Sequence, residues 1–278
     1  MDRASFFIKN KALFGSYPTQ EAVNELENEG VIYFIDLTNK EEEEQGKVIP
    51  YTTTKSYIRY EIKDRYIPTD WKSFAKFILD TGQKIKDLKI NLRTGKSEKI
   101  YINCRGGHGR SGTLVASLIC YLFSLSPKEA LEYTSYCHSK RNIMRDKWRK
   151  IGAPQTYTQK KFIYNFFDYL NITHYKNSKY GFYDYLKYSF MTIDNDELKT
   201  FNNIENAFRS MKTDCDKKNG LLLKQLFIDL FESHPELKEN LLGTGLRPLV
   251  FHSKIDKKYN LLYAKTLIEL RNKYYMEM

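Results

Sequence analysis

The stretch over residues 100–113 constrains the fold more than any other part of the chain. Isoleucines at positions 100 and 102 alternate with other residues, as in a strand, and a glycine-rich segment follows. From Ser111 onward a dense apolar pattern predicts a buried helix through Leu114, Val115, Leu118, Ile119, Leu122 and Phe123. This stretch is therefore predicted to form a strand, a tight loop and a helix.

A loop of this kind predicts an anion site. Backbone N–H groups converge where a loop opens into a helix, and the helix dipole favours negative charge there. Gly106, Gly107 and Gly109 permit the tight curl because glycine tolerates positive φ. Arg110 adds a planar fork for two phosphate oxygens, and Cys104 lies where these groups are expected to stabilise a thiolate. A nucleophile in an anion site indicates chemistry at phosphorus.

Cys104, followed after five residues by Arg110 and Ser111, resembles the Cys-(x)5-Arg-Ser/Thr signature of the protein tyrosine phosphatase superfamily. Its form is most similar to the dual-specificity branch. The resemblance implies that Cys104 is the nucleophile and that Ser111 donates to the sulfur. It also implies a phosphate-binding loop, with Arg105 and His108 facing substrate or solvent, made of Arg105, Gly106, Gly107, His108, Gly109 and Arg110. The alternative is an ordinary buried cysteine with Arg110 as a surface charge.

A general acid must protonate the leaving oxygen in such a mechanism. Asp64, four residues before Pro68 and after a predicted strand, resembles the acid loop of the family. Asp70 is the competitor, although its place directly before Trp71 also fits a helix N-cap.

Two further positions bear on the same chemistry. Gln155 and Gln159 resemble the glutamine segment whose amides position the hydrolytic water, the alternative being two exposed glutamines at a helix start. Asn103 stands where the family usually carries histidine directly before the cysteine. Asn103 can hold backbone groups but does not supply the same electrostatics, so a catalytically degraded phosphate-binding or ADP-ribose-binding module stays an alternative.

The rest of the first part predicts an α/β fold, a phosphatase-type central sheet flanked by helices over residues 1–173. A short strand ending in a turn is predicted over residues 12–18, and further strands over 31–37 and 57–62. Helices are predicted over 20–28 with Thr19 as N-cap, from Trp71, from Pro127, and through residues 162–170. The acidic run 41–44 predicts a solvated loop, and residues 87–98 predict a surface hairpin or loop.

After a short polar segment, residues 179–278 have a different texture and predict a smaller, mainly helical (α+β) domain. Helical runs cover residues 203–212, 221–231, 236–242 and 259–274, and residues 249–251 predict a short strand.

This second part resembles the NADAR family of N-glycosidases, which act on ribosylated, phosphate-bearing compounds. The matching segments are residues 180–182, 193–194, 204–208, 241–245, 249–250, 260–262 and 269–271. The resemblance implies that Glu205 stabilises charge at an anomeric carbon or activates water, and that Lys212, Asp256 and Arg271 help to hold the ligand. Lys212, seven residues after Glu205, is expected on the same helix face. The family's Trp-Gly segment near Asp256 is absent, and the alternative is a helix with Glu205 facing solvent.

Composition bounds the partners. A net charge of +11 favours an anionic partner, either a phosphorylated protein or the 5′ phosphates of RNA, although a solvated basic surface is the alternative. The four cysteines show neither disulfide nor metal-ligand spacing, which favours a reducing, intracellular compartment. No signal peptide, membrane span, metal or cofactor is expected.

Overall fold

A computed structural model describes residues 2–90, 96–167, 170–171, 190–194, 197–250 and 257–278. The chain divides into two compact units, Met1–Phe167 and Asp168–Met278. The first unit ends a few residues before the predicted boundary at 173, because a short strand at Leu170–Asn171 pairs within the second unit.

A five-stranded sheet organises the first unit. Its strands are β1 (Ala4–Ile8), β2 (Ala12–Ser16), β3 (Val31–Asp36), β4 (Ser56–Arg59) and β5 (Lys99–Cys104), in the order β1-β2-β5-β3-β4. β1 runs antiparallel to β2, and the other pairs are parallel. β5 is the middle strand, and all six of its residues are buried. The carboxyl end of β5 therefore lies between two parallel neighbours, where loops of α/β proteins form sites.

Among the described residues of this unit, seven helices flank the sheet: α1 (Gln20–Asn28), α2 (Lys40–Glu44), α3 (Trp71–Asp87), α4 (Gly109–Phe123), α5 (Pro127–Ser139), α6 (Asp146–Ile151) and α7 (Tyr157–Phe167). On one face, Val23 and Leu26 of α1 pack with Leu13, Phe34 and Tyr101 of the strands. α4 packs against β2 and β5 and also contacts α3, α5 and α7. The α/β class with flanking helices is confirmed.

The predicted helix starts are confirmed where capping chemistry was visible. The Thr19 hydroxyl accepts from the Ala22 amide at 3.3 Å, and Ser126 forms a capping box with Glu129 just before Pro127. The solvated loop predicted for residues 41–44 is wrong. These residues belong to α2, whose capping box joins Asn39 and Glu42 and leaves Glu42 buried.

The second unit contains β6 (Leu170–Asn171), β7 (Phe190–Asp194), β8 (Glu197–Phe201), α8 (Ile204–Met211), α9 (Asp216–Ser233), α10 (Pro235–Gly243), β9 (Leu249–Val250) and α11 (Asn260–Glu277). All four predicted helical runs are helices, and β6 pairs with β9. The β7–β8 hairpin was not predicted from the sequence. No helix among the described residues is both long and apolar enough to cross a bilayer.

Candidate active site

The candidate site lies where β5 ends and α4 begins. β5 delivers Cys104, which is buried, and residues 105–108 form the loop that leads into α4. Gly107 has φ +72°, and a Cβ there would lie 2.3 Å from the Gly15 carbonyl group. Only glycine fits this close approach of the loop to β2. The predicted strand, loop and helix are confirmed.

Arg110 is fixed in the interior of the unit by a carboxylate that the sequence did not reveal. Its Nη1 donates to Glu42 Oε2 at 2.5 Å and its Nη2 donates to Glu42 Oε1 at 2.9 Å. Nη1 also donates to the carbonyls of Leu37 and Ile62. The side chain is 1% exposed, so the alternative of a surface charge is wrong. A bidentate pair of this kind holds the guanidinium plane in one orientation.

The charges of this pair are mutually stabilised. Burial alone would raise the pKa of Glu42, but the hydrogen bonds and charge of Arg110 outweigh it and hold the pKa below its ordinary value. Burial alone would lower the pKa of Arg110, and Glu42 more than reverses this. Arg110 Nε is buried and makes no hydrogen bond within the described part of the chain. This donor remains able to bind a phosphate oxygen.

Asp64 lies beside this arginine. Its Oδ1 is 3.1 Å from Arg110 Nη2, and 49% of its side chain is exposed. A carboxyl group that is half exposed and close to the candidate phosphate-binding arginine is placed to act on a substrate bound there. Asp70, in contrast, caps α3 by accepting from the Ser73 amide at 3.0 Å. The geometry therefore favours Asp64 over Asp70 as the candidate acid.

Asn103 is held by a buried polar network. Its Nδ2 donates to Asp36 Oδ1 at 2.9 Å, and the Tyr51 hydroxyl donates to its Oδ1 at 3.2 Å. Asp36 also accepts from Thr38 and from the Tyr57 hydroxyl. Asn103 thus fixes the residue before Cys104 through hydrogen bonds, whereas Asp36, its partner 67 residues away in the sequence, was not predicted.

The two predicted glutamines differ in their bonding. Gln159 is fully buried, its Nε2 donates to the Tyr66 carbonyl at 3.1 Å, and its Oε1 accepts from the Thr156 amide. Gln159 therefore joins the loop after Asp64 to the start of α7, and a Cβ on Gly109 would lie 2.9 Å from its amide. Gln155 is half-buried, and its side chain makes no hydrogen bond in the described chain.

The remaining residues of the loop differ in exposure and in the side chains that they contact. Arg105 and Gly106 are exposed, as expected for Arg105. His108 does not simply face substrate or solvent, because its ring stacks on Trp148 with centroids 4.7 Å apart and contacts the His138 ring nitrogen at 2.7 Å. Ser111 Oγ is buried without a hydrogen-bond partner among the described residues, so it is able to donate to the sulfur.

Arg141 is a second buried arginine, and it was not predicted as a site residue from the sequence. It donates to the carbonyls of Gly107 and Phe14 at 2.8 and 3.1 Å. Arg141 therefore supports the loop from behind. Because the Gly107 carbonyl accepts this hydrogen bond, it is not left unpaired where an anion would approach.

The ligand residues predicted in the second unit differ in where the structure places them. Glu205 is 2% exposed, so the solvent-facing alternative is wrong. Lys212 does not share a helix face with it, because α8 ends at Met211 and Lys212 is the extended C-cap with its ammonium 4.9 Å from the Tyr259 ring centre. Arg271 is buried and donates to Thr244 and Arg247. Asp256 and residues 180–182 lie outside the described residues.

A buried cysteine at the end of a central strand, a glycine-rich loop that opens into a helix, and an arginine held by a buried carboxylate are the features of a cysteine-dependent phosphatase domain. Residues 2–163 match the family model described as "Swiss Army Knife protein, DSP-PTPase phosphatase domain". The chain therefore belongs to the dual-specificity branch of the protein tyrosine phosphatase superfamily.

Relatives and a solved structure are similar to this chain. "Putative tyrosine phosphatase 197R" of Invertebrate iridescent virus 6 is 31% identical over 272 residues, which cover 95% of this chain and 89% of the relative. "Putative tyrosine phosphatase 067L" of Invertebrate iridescent virus 3 is 39% identical over 60% of this chain, and the match spans 66% of that relative's length. The crystal structure of kinase associated phosphatase aligns with 18% identity and a TM-score of 0.44, covering 59% of this chain and 92% of that one.

Proposed function

We propose that the chain hydrolyses the phosphomonoesters of phosphotyrosine and phosphoserine/threonine proteins through a phosphocysteine intermediate. The observation that carries this proposal is the Arg110–Glu42 lock beside Cys104. It fixes a phosphate-binding cation at the mouth of a loop that holds a nucleophile.

In the first step, the Cys104 thiolate forms an S–P bond while the bond from phosphorus to the leaving oxygen breaks. Asp64 gives its proton to that oxygen. In the second step, a water positioned by Gln155 attacks phosphorus and gives a proton to Asp64, and the S–P bond breaks to restore the thiolate. Gln159 acts as a positioning residue, because its bond to the Tyr66 carbonyl supports the loop that carries Asp64.

The experiment compares Cys104→Ser with Cys215→Ser on p-nitrophenyl phosphate and on phosphotyrosine and phosphoserine peptides. Cys215 is an exposed cysteine of the second unit and serves as the matched control. Cys104→Ser abolishes turnover but retains phosphate binding, and Cys215→Ser keeps wild-type rates. Near-native hydrolysis by Cys104→Ser overturns the mechanism. Faster turnover of triphosphorylated RNA than of any phosphopeptide makes the chain an RNA 5′-triphosphatase instead.

A second function for the second unit is supported by one observation. Glu205 is buried, and neither carboxylate oxygen has a hydrogen-bond partner among the described residues. A buried carboxylate without partners is costly unless a ligand supplies them. Together with the NADAR resemblance, this supports binding of a ribosylated, phosphate-bearing nucleotide such as ADP-ribose, with Glu205 acting at the anomeric carbon.

Titration calorimetry with ADP-ribose on the full chain carrying Cys104→Ser tests this second function, since that background does not turn over phosphate esters. Glu205→Gln is expected to keep binding, because the amide occupies nearly the same space as the carboxylate. The exposed Glu232→Gln is the control. No heat of binding at millimolar ADP-ribose contradicts the proposal.

A further inference from the structure

A groove between α5 and α7 is a second concave feature of the first unit. The two helices pack against each other and form its two walls. Its volume is about 700 Å³, which lies within the range of roughly 300–1,000 Å³ that is usual for ligand sites. None of the described residues that line this α5–α7 groove takes part in the proposed hydrolysis. The groove therefore needs an explanation of its own.

On the α7 wall, aromatic rings and cations alternate. Tyr157 and Tyr164 are seven residues apart, so they lie on one helix face about 10.5 Å apart along the axis. Lys160 and Lys161 lie between them and also line the groove. This wall therefore presents a ring at each end and two ammonium groups in the middle.

The two tyrosines lack the contacts that other exposed tyrosines have. Tyr157 is 76% exposed and Tyr164 is 46% exposed. In the described part of the chain, neither ring stacks on another ring or on a cation, and neither hydroxyl makes a hydrogen bond. The other exposed tyrosines of this unit each donate to an acceptor or lie beside a lysine ammonium; they are Tyr57, Tyr66, Tyr133 and Tyr136. Exposed tyrosines of this kind are enriched at binding surfaces.

The groove carries a net positive charge, since its described lining contains three lysines and one glutamate. Lys161 is exposed and makes no ion pair or hydrogen bond in the described chain. Lys160 donates to the Ile151 carbonyl, a neutral group, at 3.4 Å. Lys128 lies in the first turn of α5, where the helix dipole disfavours a cation. An anionic ligand would supply the counter-charge that these lysines lack.

We propose that the α5–α7 groove docks an acidic segment of the phosphoprotein substrate that also carries an apolar side chain. Carboxylates of the segment pair with the lysines, and its apolar side chain packs against the tyrosine rings and Leu131. The role in substrate binding rests on the proposed phosphatase function. α7 begins two residues after Gln155 and carries Gln159, so the groove adjoins the candidate site along one helix. A docked segment raises the effective concentration of its phosphorylated residue near Cys104.

The lining favours a peptide over a single-stranded nucleic acid. Nucleic-acid grooves follow the phosphate backbone with cations, whereas Glu132 lies among the lysines here and would repel a phosphate. The Glu132 carboxylate can instead accept hydrogen bonds from the backbone N–H groups of a peptide. Leu131, which is half-buried, provides an apolar contact that suits a peptide side chain.

The first test is fluorescence anisotropy of the full chain with a labelled, unphosphorylated peptide in which one leucine is flanked by glutamates. Lys128→Glu/Lys161→Glu should weaken binding at least about tenfold, because two favourable charge pairs become repulsive. Lys128→Glu places a carboxylate in the first turn of α5, where the dipole favours it, so the helix is kept. Tyr157→Ser/Tyr164→Ser leaves the charge unchanged and should also weaken binding, which separates ring contacts from net charge.

The control Lys9→Glu/Lys89→Glu makes the same charge change at exposed positions outside the lining, and it keeps wild-type binding. The second test joins the acidic segment to a phosphotyrosine peptide. Its KM should be about tenfold lower than that of the same peptide with glutamines for glutamates, with kcat unchanged. Lys128→Glu/Lys161→Glu should remove that difference in KM while keeping the wild-type rate on p-nitrophenyl phosphate.

Two results overturn this inference alone. The first is no binding of the acidic peptide at millimolar concentration by a protein that hydrolyses p-nitrophenyl phosphate. The second is undiminished binding by Lys128→Glu/Lys161→Glu. Binding of the peptide without hydrolysis of any phosphate ester overturns the proposed function instead. Tighter binding of single-stranded RNA than of the peptide, lost in the same double variant, overturns the assignment to an acidic segment.

Discussion

Each unit contains a deeply buried glutamate, and the two glutamates differ in their partners. In the first unit, Arg110 and Glu42 are both buried and bonded through two hydrogen bonds, so each charge stabilises the other. In the second, Glu205 is as deeply buried, yet its oxygens have no partner in the described chain. The paired arrangement of the first unit holds the Arg110 guanidinium in one orientation. The second keeps the full hydrogen-bonding capacity of a carboxylate for something outside the chain.

The largest effect is expected at the edge of the paired cluster. Asp64→Asn removes the proposed proton donor and should slow hydrolysis of esters with poor leaving groups by roughly 10²–10⁴-fold. The loss should be smaller for p-nitrophenyl phosphate, whose leaving group needs little protonation. Steady-state kinetics over both substrates provides the measurement.

Asp70→Asn is the matched control for that prediction. It alters only the α3 cap, where asparagine is an equally good capping residue. Large rate losses for Asp70→Asn with a silent Asp64→Asn would transfer the acid role to Asp70.

Glu42→Gln breaks the pair while keeping the capping bond that either residue type makes to Asn39. It leaves Arg110 charged and buried, which is expected to cost about 3–5 kcal/mol in the free energy of unfolding. Urea unfolding followed by tryptophan fluorescence measures it, since both tryptophans, Trp71 and Trp148, lie in the first unit. The exposed Glu41→Gln of the same helix should change little, and an equal loss there would contradict the lock.

The His108–His138 pair predicts an acid-labile first unit. Burial first, then Arg141, lowers the pKa values of His108 and His138 from 6.5 to about 4 and about 3. The unfolded chain therefore binds these protons first, so the stabilisation is complete above pH 6.5 and is lost as the pH falls toward 4. Between pH 6.5 and 4, the free energy of unfolding should fall less in His138→Gln than in the wild-type protein, by a margin of about 1 kcal/mol or more. An unchanged dependence would contradict this.

The smallest effect is expected for the unpaired buried glutamate of the second unit. Glu205→Gln removes a buried charge that has no partner in the described chain and should raise local stability by about 1 kcal/mol. Hydrogen exchange of the α8 amides measures it. A loss of several kcal/mol would mean that the carboxylate is structurally required.

Local sequence signals predicted what local chemistry decides. The strand, glycine-rich loop and helix over residues 100–113 and the caps at Thr19 and Ser126 depend on neighbouring residues. The lock was not predictable, because Glu42 lies 68 residues from Arg110 and sits in a run of four glutamates that looks solvated. Asp36 and Arg141 were missed for the same reason, since their partners are distant along the chain. The prediction that Lys212 shares a helix face with Glu205 was wrong because α8 ends one residue before Lys212, whereas the predicted helical run included it.

The central claim is that Cys104 becomes covalently phosphorylated. The most direct measurement is an acid quench of the full chain within the first turnovers of a phosphotyrosine peptide, followed by mass spectrometry of its proteolytic fragments. The account predicts one phosphoryl group on the fragment containing Cys104 and none on that of Cys215, with more of it in a variant whose Gln155 is replaced by alanine. Turnover without any phosphorylated Cys104, or equal turnover by Cys104→Ser, would contradict the account.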